Sequence, residues 1–425
     1  MSCARSSRIR TIGIVLLFCV FSLGGCSSAE KKVRHDVPRL YATEDVQFRQ
    51  SMGSMLGPAI IGGNRFEALQ NGDEIFPAML DAIASARSTI SFESYIYWSG
   101  SVGEQFASAL ADRARAGVTV HVLLDWVGSG KIDRAFLEQM ESAGVVVARY
   151  HPLHWYHLRR LNNRTHRKLL VVDGKVGFTG GVGIADAWLG HAQDPEHWRD
   201  THYRIQGPVV NQMQAVFMDN WIKATGKVLH GEAYFPVLAP AGDGQAQMFS
   251  SSPSGGAESM KLMYLLAITA AERSIRLSSA YFVPDQRTRE VLIAAQKRGV
   301  RVQIITPGPH IDTKVTRRAS QARWGELLSA GIEIHEYQPT MFHCKMMVVD
   351  DLFTSVGSTN FDPRSFGLND EANLNIFDRA FARQMQAVFD QDLTHAKQMT
   401  WERWKRRPWH DRVLEKAASL FSSQL

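Results

Sequence analysis

One charged motif occurs twice in this chain, at the same place in an internal repeat. "THRKLLVVDGKVGFTGGVG" from Thr165 and "FHCKMMVVDDLFTSVGSTN" from Phe342 both read H-x-K-x4-D, giving His166, Lys168 and Asp173 in one copy and His343, Lys345 and Asp350 in the other. Side chains alternate along a strand, so each histidine shares a face with its lysine while Arg167 or Cys344 points the other way. The apolar run behind them, "LLVV" or "MMVV", enters the core and leaves the aspartate near a turn. A single H-x-K is an ordinary surface pair. Two copies with identical spacing are not comfortably explained by chance.

The repeat extends well beyond the motif. "ASARSTISFESYIYW" from Ala84 answers to "TAAERSIRLSSAYFV" from Thr269, and "RARAGVTVHVLLD" from Arg113 to "AQKRGVRVQIITP" from Ala295. "ESAGVVVARYHP" from Glu141 matches "LSAGIEIHEYQP" from Leu328, at an offset of about 180 residues. Each half alternates helix, strand and glycine, which predicts an α/β fold with a mixed, largely parallel β-sheet flanked by helices in each half. Gly117, Gly144, Gly299 and Gly331 fit helix C-caps. With 425 residues, 45% of them apolar, the chain can bury one large core or two ordinary ones. The expected segments are a leader at 1–25, an N-terminal segment at 26–75, a first domain at 76–238, a Gly/Ser/Ala/Pro-rich linker at 239–258, a second domain at 259–395 and a basic, aromatic tail at 396–425. Part of the linker, "QAQMFSS", could open the second half as a strand.

The N-terminus has a processing pattern. Arg5, Arg8 and Arg10 precede "TIGIVLLFCVFSL" and then "LGGC". That apolar run is shorter than the roughly 20 residues a membrane-spanning helix needs, and the order of charge, apolar core and small residues describes a secretory signal. "LGGC" resembles a bacterial lipobox, which implies lipidation of Cys26. An uncleaved signal anchor is the alternative. Either way the expected location is the bacterial cell envelope, membrane-associated and facing the periplasm. Cys3 and Cys19 would leave with the signal, so no disulfide framework is expected. Cys344 reads as a small buried apolar residue.

The duplicated motif, closed in its second copy by Gly357, Ser358 and Asn360, resembles the signature of the phospholipase D superfamily, H-x-K-x4-D followed by G-[SG]-x-N. The likeness runs from about Gly72 to Asp390. "FTGGVGIADAW", "HWRDTHYRIQGPVV" and "GSTNFDPRSFGLNDEANLNI" are most similar to the bacterial cardiolipin synthase branch. That resemblance implies two repeats packed pseudo-twofold around one active site. It also implies transfer of a phosphatidyl group from one phosphatidylglycerol to another, with release of glycerol.

Displacing an alcohol from a phosphodiester needs a nucleophile, an acid for the leaving oxygen, and cations or donors around the nonbridging oxygens. Two histidines can fill the first two roles because imidazole titrates near neutrality. The resemblance implies that His166 attacks phosphorus to form a phosphohistidine and that His343 protonates the leaving oxygen. It further implies a catalytic set of His166, Lys168, Asp173, His343, Lys345 and Asp350, in which the two aspartates brace the motif loops. Lys168, Lys345, Ser358 and Asn360 would bind phosphate. Aligning "DTHYRI" from Asp200 with "EANLNI" from Glu371 offers one carboxylate per half, and by resemblance Asp200 and Glu371 are the expected histidine orienters. The first copy departs from the pattern, with Gly183 standing where the second has Asn360. No metal or other cofactor is expected: no HExxH spacing occurs, and paired lysines would repel a cation.

Two further stretches bear on partners. Sixteen steps separate Tyr150 from His166 but only six separate Tyr337 from His343, an insertion within "HPLHWYHLRRLNN" that suits an anionic headgroup or a plain surface loop equally. The tail carries Trp401, Trp404 and Trp409 among Arg403, Lys405, Arg406 and Arg407. Such a band fits an anionic bilayer, nucleic acid, or a helix packed on the second domain. The leading reading is a cardiolipin synthase-like phosphatidyltransferase acting on a phospholipid at a membrane surface, with no nucleic-acid partner and with a monomer sufficient because both motifs share one chain. Three alternatives are carried: a phospholipase D-type hydrolase, a secreted nuclease and a catalytically silent lipid-binding relative. The intact histidines and lysines disfavour the last.

Overall fold

Strand and helix alternate as the repeat requires, and the motif-bearing segments form hairpins. The computed structural model describes residues 36–151, 163–253 and 258–419. The leader, Cys26 and most of the "HPLHWYHLRRLNN" insertion lie outside these residues. The strands are β1 (Ile61–Gln70), β2 (Thr89–Ser94), β3 (Thr119–Asp125), β4 (Val146–Tyr150), β5 (Arg164–Thr165), β6 (Leu169–Val172), β7 (Val176–Gly180) and β8 (Thr201–Gln206). In the second half they are β9 (Gly244–Ser251), β10 (Ser274–Ser279), β11 (Arg301–Pro307), β12 (Glu333–Tyr337), β13 (Lys345–Val349), β14 (Phe353–Gly357), β15 (Asn369–Phe377) and β16 (Ala396–Met399). The span 239–258 therefore holds a strand, β9, and β16 begins the span 396–425.

Burial explains the elements. Every residue of β2, β13 and β14 is buried, as expected of strands covered on both faces. The helix Ser101–Arg115 buries Val102, Phe106 and Leu110 with Ala107 and Ala111, a stripe at i, i+4 spacing. Gly117, Gly144, Gly299 and Gly331 take φ of 90° to 99° where helices give way to strands, a conformation costly for any other residue.

All the strands join one sheet, ordered β16-β12-β11-β10-β13-β14-β15-β9-β1-β8-β7-β6-β2-β3-β4, with β5 beside β15. The run from β12 to β9 is the mirror in order of the run from β1 to β4. The expectation of a largely parallel sheet is corrected. Only β2-β3, β3-β4, β10-β11, β11-β12 and β5-β15 pair in parallel, and the other ten neighbours are antiparallel. Helical crossovers produce the parallel pairs, but each motif turns straight back on itself and a short connection permits only antiparallel pairing.

Of the three large buried apolar clusters, one belongs to the first half, one to the second half together with Phe48, Met52 and Leu56 of the N-terminal segment, and the third is shared. The shared cluster brings Val209, Phe217 and Trp221 of the helix Val209–Thr225 together with Met385 and Phe389 of the helix Arg379–Thr394. Both helices carry the hexapeptide "QMQAVF", at 212–217 and 384–389, a further element of the repeat. Among the described residues no helix is long and apolar enough to cross a membrane.

Candidate active site

Each motif histidine is held by the other half of the chain. The backbone N–H of His166 donates to the carbonyl of Asp370 at 2.9 Å, and that of His343 donates to the carbonyl of Arg199 at 2.7 Å. Parallel pairing of Arg164 and Thr165 with Asn369 and Asp370, and of Phe342 with Arg199, sets these contacts. The residue after each acceptor is an acid, Glu371 or Asp200. Its side chain therefore meets the histidine: Glu371 lies 2.9 and 3.0 Å from Nδ1 of His166, and Asp200 lies 2.7 Å from Nδ1 of His343. The carboxylates expected one per half thus serve crosswise. An acid at Nδ1 holds the proton there and leaves Nε2 free for chemistry.

The two carboxylates are braced differently. Ser358 donates its hydroxyl to Glu371 at 2.6 Å and accepts from the N–H of Ala372 at 3.0 Å. Its oxygen is thus engaged with the acid rather than free for phosphate, the place expected of it. In the first half Gly181 stands at the position of Ser358, and a Cβ there would lie 2.1 Å from Asp200 Oδ1. Asp200 instead accepts from the indole N–H of Trp188 at 3.0 Å and from the N–H of Thr201 at 2.8 Å. Trp188 and Trp198 each sit 5.4 Å from the His343 ring, and Tyr95 sits 5.2 Å from His166. None of these three aromatic residues was singled out from sequence. The signal for Trp188 is Gly183 at the position of Asn360, with a tryptophan five residues on; Tyr95 and Trp198 carry no such signal.

Both lysines are buried beside their histidines. Lys168 donates to the carbonyl of His166 at 2.7 Å and faces the Tyr95 ring at 5.5 Å. Lys345 donates to the carbonyl of His343, and its Nζ lies 3.2 Å from Nε2 of that ring. Burial pushes His166 down to about 4, with Lys168 and Lys345 adding to the shift and Glu371 opposing it. Burial, then Lys345, also lowers His343, against Asp200. Burial and the neighbouring Lys345 bring Lys168 to about 7, and burial lowers Lys345. Each lysine thus acts on groups of the other half, with burial the main cause of every shift. An entering phosphodiester anion would favour the charged forms.

Asp173 and Asp350 point away from this pocket. The Asp173 carboxylate accepts from the N–H groups of Arg87, Ser88 and Thr89 at 2.7 to 3.2 Å. Asp350 accepts from Glu272, Arg273 and Ser274, and from the Thr43 hydroxyl at 2.8 Å. Both sit at positive φ, 52° and 54°, which aspartate tolerates better than most residues. They tie each hairpin turn to the start of the adjoining strand. Asn360 is buried, and its Oδ1 has no hydrogen-bond partner among the described residues. Cys344 is buried, and burial pushes its thiol up to about 12.

Comparison with known proteins agrees with the duplicated geometry. The family described as "Cardiolipin synthase, PLD-like domain" matches residues 79–221 and 264–393. Cardiolipin synthase of Geobacillus kaustophilus is 36% identical over 360 residues, covering 84% of this chain and 72% of its own. Cardiolipin synthase 1 of Bacillus cereus is 33% identical over 367 residues, with the same coverage of each chain. Among solved structures, phosphatidylserine synthase of Haemophilus influenzae superposes with a TM-score of 0.70 at 15% identity over 89% of this chain and 100% of that one, a likeness of fold.

Proposed function

The chain belongs to the cardiolipin synthase-like branch of the phospholipase D superfamily, and we propose that it moves a phosphatidyl group from phosphatidylglycerol to the hydroxyl of a second phosphatidylglycerol or a related alcohol. Nε2 of His166 attacks phosphorus, the bond from phosphorus to the glycerol oxygen breaks, and His343, held as the imidazolium by Asp200 and the bound phosphodiester anion, gives that oxygen its Nε2 proton. The neutral His343 then takes the proton of the incoming alcohol, whose oxygen displaces His166. Lys168, Lys345 and the Asn360 amide carry the nonbridging oxygens, and Glu371 and Asp200 orient the two rings. The observation that carries this reading is the reciprocal pairing of His166 with Glu371 and His343 with Asp200. Two imidazoles, each with one nitrogen engaged, suit a displacement that needs a nucleophile and a proton carrier in turn.

A place at the envelope membrane suits the same reading. In the tail, Trp409, Val413 and Leu414 are exposed beside Arg406, Arg412 and Lys416, a mixture suited to an anionic lipid surface. Purified protein incubated with phosphatidylglycerol vesicles should yield cardiolipin and glycerol, and His166→Ala should yield neither. Phosphatidic acid as sole product would reassign the enzyme to hydrolysis. DNA cleavage without a lipid product would overturn the proposal.

A further inference from the structure

The first motif lacks both the serine that braces the second half's orienter and the asparagine that closes the second motif. The structure shows what occupies that space. A Cβ at Gly183 would lie 2.8 Å from Ile96 and 3.2 Å from the Trp188 ring, so the glycine makes room for the indole. Trp188 is fully buried and sits at the end of a single 3-10 turn, Asp186–Trp188. That turn is pinned: the Asp186 carboxylate accepts from the N–H groups of Ser101 and Val102 at 3.0 and 2.9 Å, capping the helix Ser101–Arg115. With the turn fixed, the indole has one polar partner, Asp200 Oδ2, and this is the same oxygen that meets Nδ1 of His343.

We infer that Trp188 is a positioning residue for proton transfer, holding the Asp200 carboxylate with its N–H and, through it, the ring of His343. It does in the first half what the Ser358 hydroxyl does for Glu371 in the second. The two donors differ in kind. A hydroxyl rotates and also accepts, whereas an indole only donates, along a fixed direction, and here its ring also meets the imidazole in a T-shaped contact at 5.4 Å. The substitutions at positions 181, 183 and 188 therefore belong together: two glycines clear the space and one tryptophan fills it. The proton shuttle, itself in the second half, is thus held through the stiffer brace, which the first half supplies.

This inference rests on His343 being the group that handles the leaving-group proton, and a leaving group that needs no proton separates the two ideas. Trp188→Phe keeps the ring and removes only the N–H. Its kcat for phosphatidylglycerol should fall about ten- to a hundredfold, the usual cost of losing a group that orients a functional histidine. The pre-steady-state burst of p-nitrophenolate from bis(p-nitrophenyl) phosphate should stay within about threefold of wild type, because that leaving group departs without an acid. Trp188→His, which keeps a ring N–H, should recover most of the lost lipid turnover, and thermal melting of each variant checks the fold. Wild-type turnover in Trp188→Phe, equal loss on both substrates, or no recovery in a well-folded Trp188→His would each overturn the inference. Failure of the underlying assignment reads differently: His343→Ala would abolish the burst while His166→Ala kept it, and the inference would fall with that assignment.

Discussion

At the scale of single residues, the site is a buried set of bases waiting for an anion. His166 and Lys168 are both shifted toward their neutral forms by burial, Lys168 to about 7. A bound phosphodiester favours the charged form of the lysine and raises its pKa, so binding near neutrality must take up protons. Calorimetry of dimethyl phosphate binding at pH 7.5, in two buffers of different ionisation enthalpy, should show uptake of roughly half a proton or more. An enthalpy independent of buffer would sink this account. The residue types themselves were legible in the sequence, because two H-x-K-x4-D copies set a histidine and a lysine two residues apart, but the expected strand begins later: His166, Lys168 and His343 lie just ahead of β6 and β13. The role of Ser358 was not. Which acceptor a hydroxyl meets depends on the strand lying beside it, here the one that carries Glu371.

At the scale of elements, the motif hairpins owe their placement to aspartates remote from the chemistry. Asp350 gathers three backbone N–H groups and a buried hydroxyl into one carboxylate, and Asp350→Ala would strand several of them. We expect a loss of about 2–3 kcal/mol in urea unfolding, with kcat falling far less than in His343→Ala. A variant as stable as wild type but inactive would instead put this carboxylate in the reaction. Strand and helix order were readable from the repeat, since amphipathic stripes and glycine caps act locally. Strand direction was not: the alternation covers β2 to β4 and β10 to β12, whereas the hairpins and the return strands β8 and β15 contribute the antiparallel majority. The matching "QMQAVF" helices would have exposed a further element of each half.

At the scale of the whole molecule, two half-sites become one because each half lends the other its orienter. The halves are locked by Arg199, buried in the first, which meets Asp392, buried in the second, at 2.7 and 3.0 Å. Arg199→Met would leave that carboxylate buried without its cation, at a cost of about 3–5 kcal/mol. Arg199→Met with Asp392→Leu should regain much of the loss in denaturant melts. A harmless single variant would show that the pair does not hold the halves together. The duplication, the order of elements within each half and the paired histidines and lysines could be read from the sequence alone, because periodicity and motif spacing are properties of short stretches. That Glu371 meets His166 and Asp200 meets His343 could be read only from the folded chain. Those pairs lie 205 and 143 residues apart, and the contact exists only because the sheet brings the start of one half's return strand against the other half's motif.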